Sequence, residues 1–207
     1  CAPGQGARPG LPRTAWATAF FVTSDGLAVT NHHVTTPVLG GRIRIEAVLQ
    51  SGESGRRVQA RVVAEDARND IAVLRIAVPE SASTHRLPVS GRVPELLDRI
   101  YVCGFPGGLA AAADPSRGPE PAVTRGEVAA VRRDAAGLPA QMDLSAVACP
   151  GSSGSPVIND RGEVVGVIWG SRDPYGKLVS ATVSPRVAEL VSRARGQAAS
   201  AEPEGAV

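Results

Sequence analysis

Short apolar runs punctuated by turn-forming residues predict an all-β fold, a barrel or a sandwich. The runs are rich in β-branched residues and recur at regular intervals. Among them are scattered 23 glycines and 17 prolines. Aromatic residues make up only 3% of the chain, so Val, Ile, Leu and Ala must fill the core. With 207 residues and 43% hydrophobic content, the chain can build one sizeable globular unit or two small ones.

Residues 1–13, with Gly4, Gly6, Gly10 and three prolines, read as a flexible tether. The first strand is expected over 19–23 (Ala19-Phe20-Phe21-Val22), the turn at Ser24-Asp25-Gly26, and the second strand over 27–31. Further strands are expected over 42–49, 58–64, 71–76, 99–103, 126–132, 156–159 and 163–169. Asn159-Asp160-Arg161-Gly162 joins the last two as a hairpin turn, and the Ala-, Pro- and Gly-rich stretch 109–122 reads as an exposed loop. Ser184 and Pro185 form a helix start signal, and Val187, Leu190, Val191 and Ala194 then share one helical face. A short helix over about 185–195, docked on the preceding strands, is expected before a disordered tail over 196–207.

The chemistry is concentrated in Gly151-Ser152-Ser153-Gly154-Ser155-Pro156. Glycines let the backbone turn back so that consecutive N–H groups point at one spot, where an attacked carbonyl oxygen would gather charge. A serine needs a base to take its proton and a group to orient that base. The base candidates are the pair His32-His33, in Val29-Thr30-Asn31-His32-His33-Val34. The acid candidates are Asp70, which opens the strand Ile71-Ala72-Val73-Leu74, and Asp66, in a charged connection that favours solvation. His85 lies in a polar loop, and Asp143 reads as a structural hydrogen-bond acceptor. The chain order His, Asp, Ser matches the chymotrypsin arrangement of the triad rather than the subtilisin or α/β-hydrolase orders.

Five segments in order resemble the trypsin-like serine peptidases, in particular their bacterial HtrA/Deg and glutamyl-endopeptidase branches. They are Thr30 to Val34, Asn69 to Leu74, Val102 to Gly108, Thr124 to Val128, and Gly151 to Gly170. The resemblance implies two antiparallel six-stranded β-barrels, chymotrypsin-like, over about 14–90 and 91–185. Together with the helix they would make a peptidase domain over 14–195. It selects His33 as the base, since the family histidine lies three after a threonine and directly before an apolar residue. His32 would then face the other way along an extended chain. The triad would be His33, Asp70 and Ser153. The oxyanion hole would be the N–H groups of Gly151 and Ser153, assisted by Ser152.

The same resemblance puts Val147, six before the serine, at the base of the primary pocket, and the extended backbone of Ile168-Trp169-Gly170 along its wall. No aspartate marks the pocket base for Arg or Lys substrates. No histidine follows His85 to hold a substrate carboxylate. Cleavage after small or medium aliphatic residues is therefore expected. Asp143 lies ten before Ser153 where relatives have eight, which suggests a two-residue insertion around Val147 to Pro150. Digestive relatives have an aspartate just before the serine, paired with a cut N-terminus. Ser152 stands there instead, so activation by that ion pair is not expected. A preformed site, or one ordered by a partner or by further domains, is the expectation.

The net charge of +2 argues against nucleic acid or an anionic membrane as partner, and the 22 basic residues include a single lysine, Lys177. No metal-ligand spacing and no phosphate-binding glycine loop is present, so neither metal nor cofactor is expected. The partner is a protein or peptide substrate. Of the three cysteines, Cys103 and Cys149 could pair or stand as separate buried thiols. Cys1 followed by a flexible stretch fits the start of a lipid-anchored protein, though a domain cut would look the same. The lean is to an extracytoplasmic location, with a cytoplasmic part of a larger protein as the alternative.

Overall fold

The computed structural model describes residues 16–36, 45–51, 54–79, 84–108, 119–172 and 178–200. The 1–13 tether, most of the 109–122 loop and residues 201–207 lie outside the described residues.

The first unit is a five-stranded sheet in the order β1-β2-β5-β4-β3. Its strands are β1 (Phe20–Phe21), β2 (Leu27–Thr30), β3 (Ile45–Ser51), β4 (Ser54–Asp66) and β5 (Ile71–Ile76). Against the six strands expected for this unit, the described residues form five, a half-barrel, and residues 37–44, which hold the start of the expected 42–49 strand, lie outside the described residues. A one-turn helix, α1 (His32–Thr35), follows β2, where an extended chain was expected.

The second unit is a closed six-stranded antiparallel barrel. It comprises β6 (Arg99–Gly104), β7 (Ala122–Arg133), β8 (Pro139–Leu144), β9 (Pro156–Ile158), β10 (Val164–Gly170) and β11 (Val179–Val183). In β11, Val179, Ala181 and Val183 fill the barrel core, while Ser180 and Thr182 take the opposite face, as period-2 geometry demands. Thr182 uses that face to donate to the Asn69 carbonyl (2.5 Å), tying the barrel to the turn before β5. The β9–β10 turn is held by Asn159, whose side-chain oxygen accepts from the Arg161 and Glu163 N–H groups. Gly162 there has φ +75°.

Helix α2 (Ser184–Ser200) outruns the expected 185–195, so residues 196–200 are helical where a disordered tail was expected. Its apolar face (Val187, Leu190, Val191, Ala194) joins one cluster with Phe20, Leu27, Val29 and Val73 of the first sheet and with Val164 and Val167 of β10. The helix therefore bridges both units rather than docking on the barrel alone. Burying β10's outer valines against the sheet and helix is the hydrophobic contribution that fixes the two units relative to one another. Of the two arrangements open to Cys103 and Cys149, the mutual pair is not formed, because Cys103 is a free thiol. Burial pushes the Cys103 thiol pKa up.

Candidate active site

Asp70 lies at the end of the turn 67–70 with φ +52°, the left-handed region that aspartate tolerates better than most residues. Asp66 holds that turn, accepting from the Asn69 backbone N–H (3.1 Å) and side-chain amide (2.6 Å), so it is a turn brace and not a second acid. The Asp70 carboxylate addresses a single residue. Its Oδ1 accepts the His33 backbone N–H (2.8 Å) and its Oδ2 lies 2.7 Å from His33 Nδ1. An ionised Asp70 requires a proton on Nδ1, which leaves Nε2 as the basic nitrogen. Asn31 donates to the Asp70 carbonyl (2.8 Å), so the histidine segment and the acid turn are joined by three bonds.

His32 and His33 sit on a helical turn, so their side chains diverge by about 100° rather than by the 180° of a strand. His32 is not turned to solvent. Its Nε2 lies 3.1 Å from Thr36 Oγ1, and its Nδ1 lies 3.5 Å from Glu65 Oε1, which Thr35 also contacts. His85 is exposed.

Ser153 comes from the second barrel. Cys149-Pro150-Gly151-Ser152 is a β-turn closed by Ser152 N–H donating to the Cys149 carbonyl (2.9 Å). Proline second and a glycine at φ +97° third are the type II arrangement. The Pro150 carbonyl accepts the Gly107 N–H (2.7 Å). The N–H of a trans peptide points opposite to its C=O, so this contact turns the Gly151 N–H toward the other side of the loop. A side chain at Gly151 would have its Cβ 2.7 Å from the Phe105 carbonyl oxygen and 2.9 Å from the Gly107 nitrogen. The Ser152 N–H, expected as an assisting oxyanion donor, is occupied by the turn. The Ser152 hydroxyl is also turned inward, accepting the Cys149 N–H (3.1 Å). Ser152 thus replaces a carboxylate with a local brace.

Thr18 connects the two halves, and sequence reading missed it. Its N–H donates to the Ser153 carbonyl (2.8 Å), its hydroxyl donates to the Gly151 carbonyl (3.0 Å), and the same hydroxyl accepts from Phe105 N–H (3.1 Å). Its own carbonyl accepts the Thr30 hydroxyl (2.8 Å), three residues before His33. At Gly154 (φ +84°) a Cβ would overlap the Thr18 carbonyl oxygen and lie 2.6 Å from Thr30 Oγ1. Through Thr18 the serine loop is seated against β2, the strand that leads into the histidine turn. Thr18 belongs to no motif and shows only as one threonine among alanines and aromatics, Trp16-Ala17-Thr18-Ala19-Phe20.

Gly154 N–H donates to the Ile168 carbonyl (2.8 Å) and Ile168 N–H donates to the Ser155 carbonyl (2.9 Å), so the loop also hangs on β10. Pairing of β9 with β10 ends at Val167 opposite Pro156. Beyond Ile168 the β9-side edge of β10, at Trp169 and Gly170, has no strand partner among the described residues. Val147 is 65% exposed and does not form a buried pocket floor, while its neighbours Ala146 and Ala148 pack into or against the barrel core. Asp143 is the structural acceptor that was expected, taking Ser180 Oγ (2.9 Å) and Arg132 Nε (2.6 Å). Among the described residues no cluster of His, Cys, Asp and Glu could hold a metal.

The profile of the trypsin-like peptidase domain matches residues 17–167. A probable periplasmic serine endoprotease, DegP-like, of Brucella suis is 28% identical over 172 residues, covering 82% of this chain and 30% of its own length. The mitochondrial serine protease HTRA2 of Bos taurus is 34% identical over 154 residues, covering 72% of this chain and 30% of its own. The chain thus spans about 30% of the length of these relatives. Among solved structures, the inactive form of Rv3671c from M. tuberculosis superposes with a TM-score of 0.64 at 21% identity, covering 91% of this chain and 84% of that one. A serine endoprotease from Yersinia pestis gives 0.65 at 20% identity, covering 86% of this chain and 57% of that one.

Proposed function

Because the chain belongs to the trypsin-like peptidase family, we propose that it is a serine endopeptidase cleaving protein substrates through Ser153, His33 and Asp70. The observation that carries the reading is the 2.7 Å contact between Asp70 Oδ2 and His33 Nδ1, which leaves Nε2 free to act as base. Ser153 Oγ attacks the peptide carbonyl as His33 Nε2 takes its proton. The tetrahedral oxyanion is met by the N–H groups of Gly151 and Ser153. His33 then delivers the proton to the leaving amine, and the acyl-enzyme is released by water that His33 deprotonates in turn. Asp70 stays ionised throughout and stabilises the imidazolium.

Substrate would enter as an extra strand on the open edge of β10 at Trp169 and Gly170. Val147 is too exposed to serve as a pocket floor, so the walls are left to Ile168, Trp169 and Gly170. No histidine or aspartate on those segments offers a charge partner, which supports cleavage after small or medium aliphatic residues. The periplasmic naming of the DegP-like relatives supports an extracytoplasmic setting. Their greater length supports the presence of further domains around this one.

Comparing the parent with Ser153→Ala on casein, together with fluorophosphonate labelling, tests the assignment. Labelling at Ser153 and loss of cleavage in the variant are expected. Equal cleavage by both proteins would remove Ser153 from the mechanism. Binding of peptide without any labelling would point to a silent relative.

A further inference from the structure

Over β7 and β8, and reaching Arg172 just past the end of β10, lies a cleft of about 510 Å³ whose lining includes Arg68, Asn69, Arg132, Arg133, Asp134 and Arg172. It adjoins the triad on one side, since Asn69 directly precedes Asp70. It adjoins the substrate edge on the other, since the Arg172 guanidinium lies 5.1 Å from the centre of the Trp169 ring.

The charges in it do not cancel. Arg132 is neutralised by Asp143, which takes both its Nε and its Nη2. Asp134 is held by Arg186 at 2.7 Å. Among the described residues, Arg172 donates to the neutral amide oxygen of Gln141 and Arg133 to the Gly137 carbonyl, and neither has an ion-pair partner there. Arg68 has no hydrogen-bond or ion-pair partner among the described residues, and Arg68, Arg133 and Arg172 are all exposed. Three guanidinium groups thus face one cleft whose lining holds a single carboxylate, Asp134, which is already bonded to Arg186 and also feels the charge of Arg68. Guanidinium is the group best shaped to take a carboxylate in paired hydrogen bonds.

Direction follows from the sheet. A peptide with its scissile carbonyl at Ser153 lies beside Ile168, because the serine loop hangs on that residue. Added antiparallel, it runs its N-terminal side past Trp169 and Gly170 toward Arg172. At ~3.3 Å per residue, the side chains that reach the cleft are about the third to fifth before the cleaved bond.

We propose that this cleft selects substrates carrying aspartate or glutamate at those positions. This rests on the peptidase reading and names the substrate class of that site: segments with an acidic residue upstream of a small aliphatic one.

The test uses fluorogenic peptides with a common valine at the cleaved bond and Glu, Ala or Lys at the third to fifth upstream positions. The parent should show kcat/KM for the best Glu peptide about ten-fold or more above its Ala counterpart, the size of a charge-assisted hydrogen bond. Raising salt should shrink the ratio. Arg68→Ala with Arg172→Ala should bring it near one, and Arg68→Glu with Arg172→Glu should favour Lys instead. Equal turnover of Glu and Ala peptides by the parent overturns the proposal. So does a Glu advantage that survives both pairs of substitutions in folded protein, with circular dichroism reporting the fold. The same peptides, dye-labelled, are titrated into Ser153→Ala protein by anisotropy. If no peptide is hydrolysed and Ser153 is not labelled, the peptidase reading fails. The Glu-to-Ala affinity ratio then still decides whether the arginine cleft recognises acidic chains.

Discussion

Gly151→Ala should separate catalysis from folding at the turn we propose sets the oxyanion donors. Gly151 has φ +97° in a turn whose preceding carbonyl is pinned by Gly107 N–H at 2.7 Å. A methyl group there meets the Phe105 carbonyl oxygen at 2.7 Å and the Gly107 nitrogen at 2.9 Å, and both atoms are backbone. Left in place, alanine carries ~1–2 kcal/mol of left-handed strain in addition to those contacts. The relief is to rotate the Pro150–Gly151 peptide to negative φ, which breaks the Gly107 bond and swings the residue 151 N–H away from the site. Removing one oxyanion donor costs ~10²–10³ in kcat, or about 2.7–4 kcal/mol of transition-state stabilisation. Ground-state binding does not use that donor, so KM should hold within about two-fold. Unfolding temperature should fall by only a few degrees, at ~2–4 °C per kcal/mol for a chain of this size. Steady-state kinetics on an aliphatic peptide, with calorimetry on the same sample, reads both quantities. A folded variant with kcat within about three-fold of the parent would refute the inference that Gly107 and the type II turn aim the Gly151 N–H.

Three other outcomes follow from contacts already described. Asp70→Asn cannot accept from both His33 groups and favours the wrong imidazole tautomer, so kcat should fall by about 10⁴ with the fold intact; a loss under ten-fold would contradict it. Thr18→Val keeps the shape but strands the Phe105 N–H and removes the donor to the Gly151 carbonyl. It should cost ~2 kcal/mol in stability by denaturant titration, with a drop in kcat of about ten-fold. The Asp25 carboxyl is held below the ordinary carboxylate range, first by the hydrogen bond from Arg75, then by that from Thr23. A depressed carboxyl contributes stability above its unfolded pKa and loses it as pH falls through the folded value. The stability difference between parent and Asp25→Asn should be present at neutral pH, remain small because Asp25 is largely exposed, begin to shrink near pH 4 and vanish only below the depressed folded value.

Much of the site was legible because its chemistry demands short, contiguous patterns. Ser153 needs glycines on both sides for a turn that no other residue fits, and Gly151 and Gly154 both have positive φ. The Asn31-His32-His33 and Asn69-Asp70 segments carry the polar residues that tie base to acid. Strands β2, β5, β6 and β10 were readable as β-branched runs, and β11 alternates so strictly (Val179, Ser180, Ala181, Thr182, Val183) that it was there to be read. Strand β8, opened by Pro139 and carrying Gln141 and Asp143, was not, because its polar residues find partners on neighbouring strands that a single segment cannot reveal. The one-turn helix at His32 was equally hidden, since four residues contain no full helical period.

From its residues alone the chain declares a β-rich fold, a His-Asp-Ser order and a serine in a glycine turn, because local backbone geometry and side-chain chemistry are properties of neighbours. Only the folded molecule decides that Thr18 seats the serine loop against Thr30, that Gly107 orients Gly151, that Val147 stands in solvent, and that Arg68 and Arg172 face one cleft. Those contacts join positions as far apart as Thr18 and Ser153. They exist only once burial of the valines of β10 against the first sheet and α2 has brought the two units together.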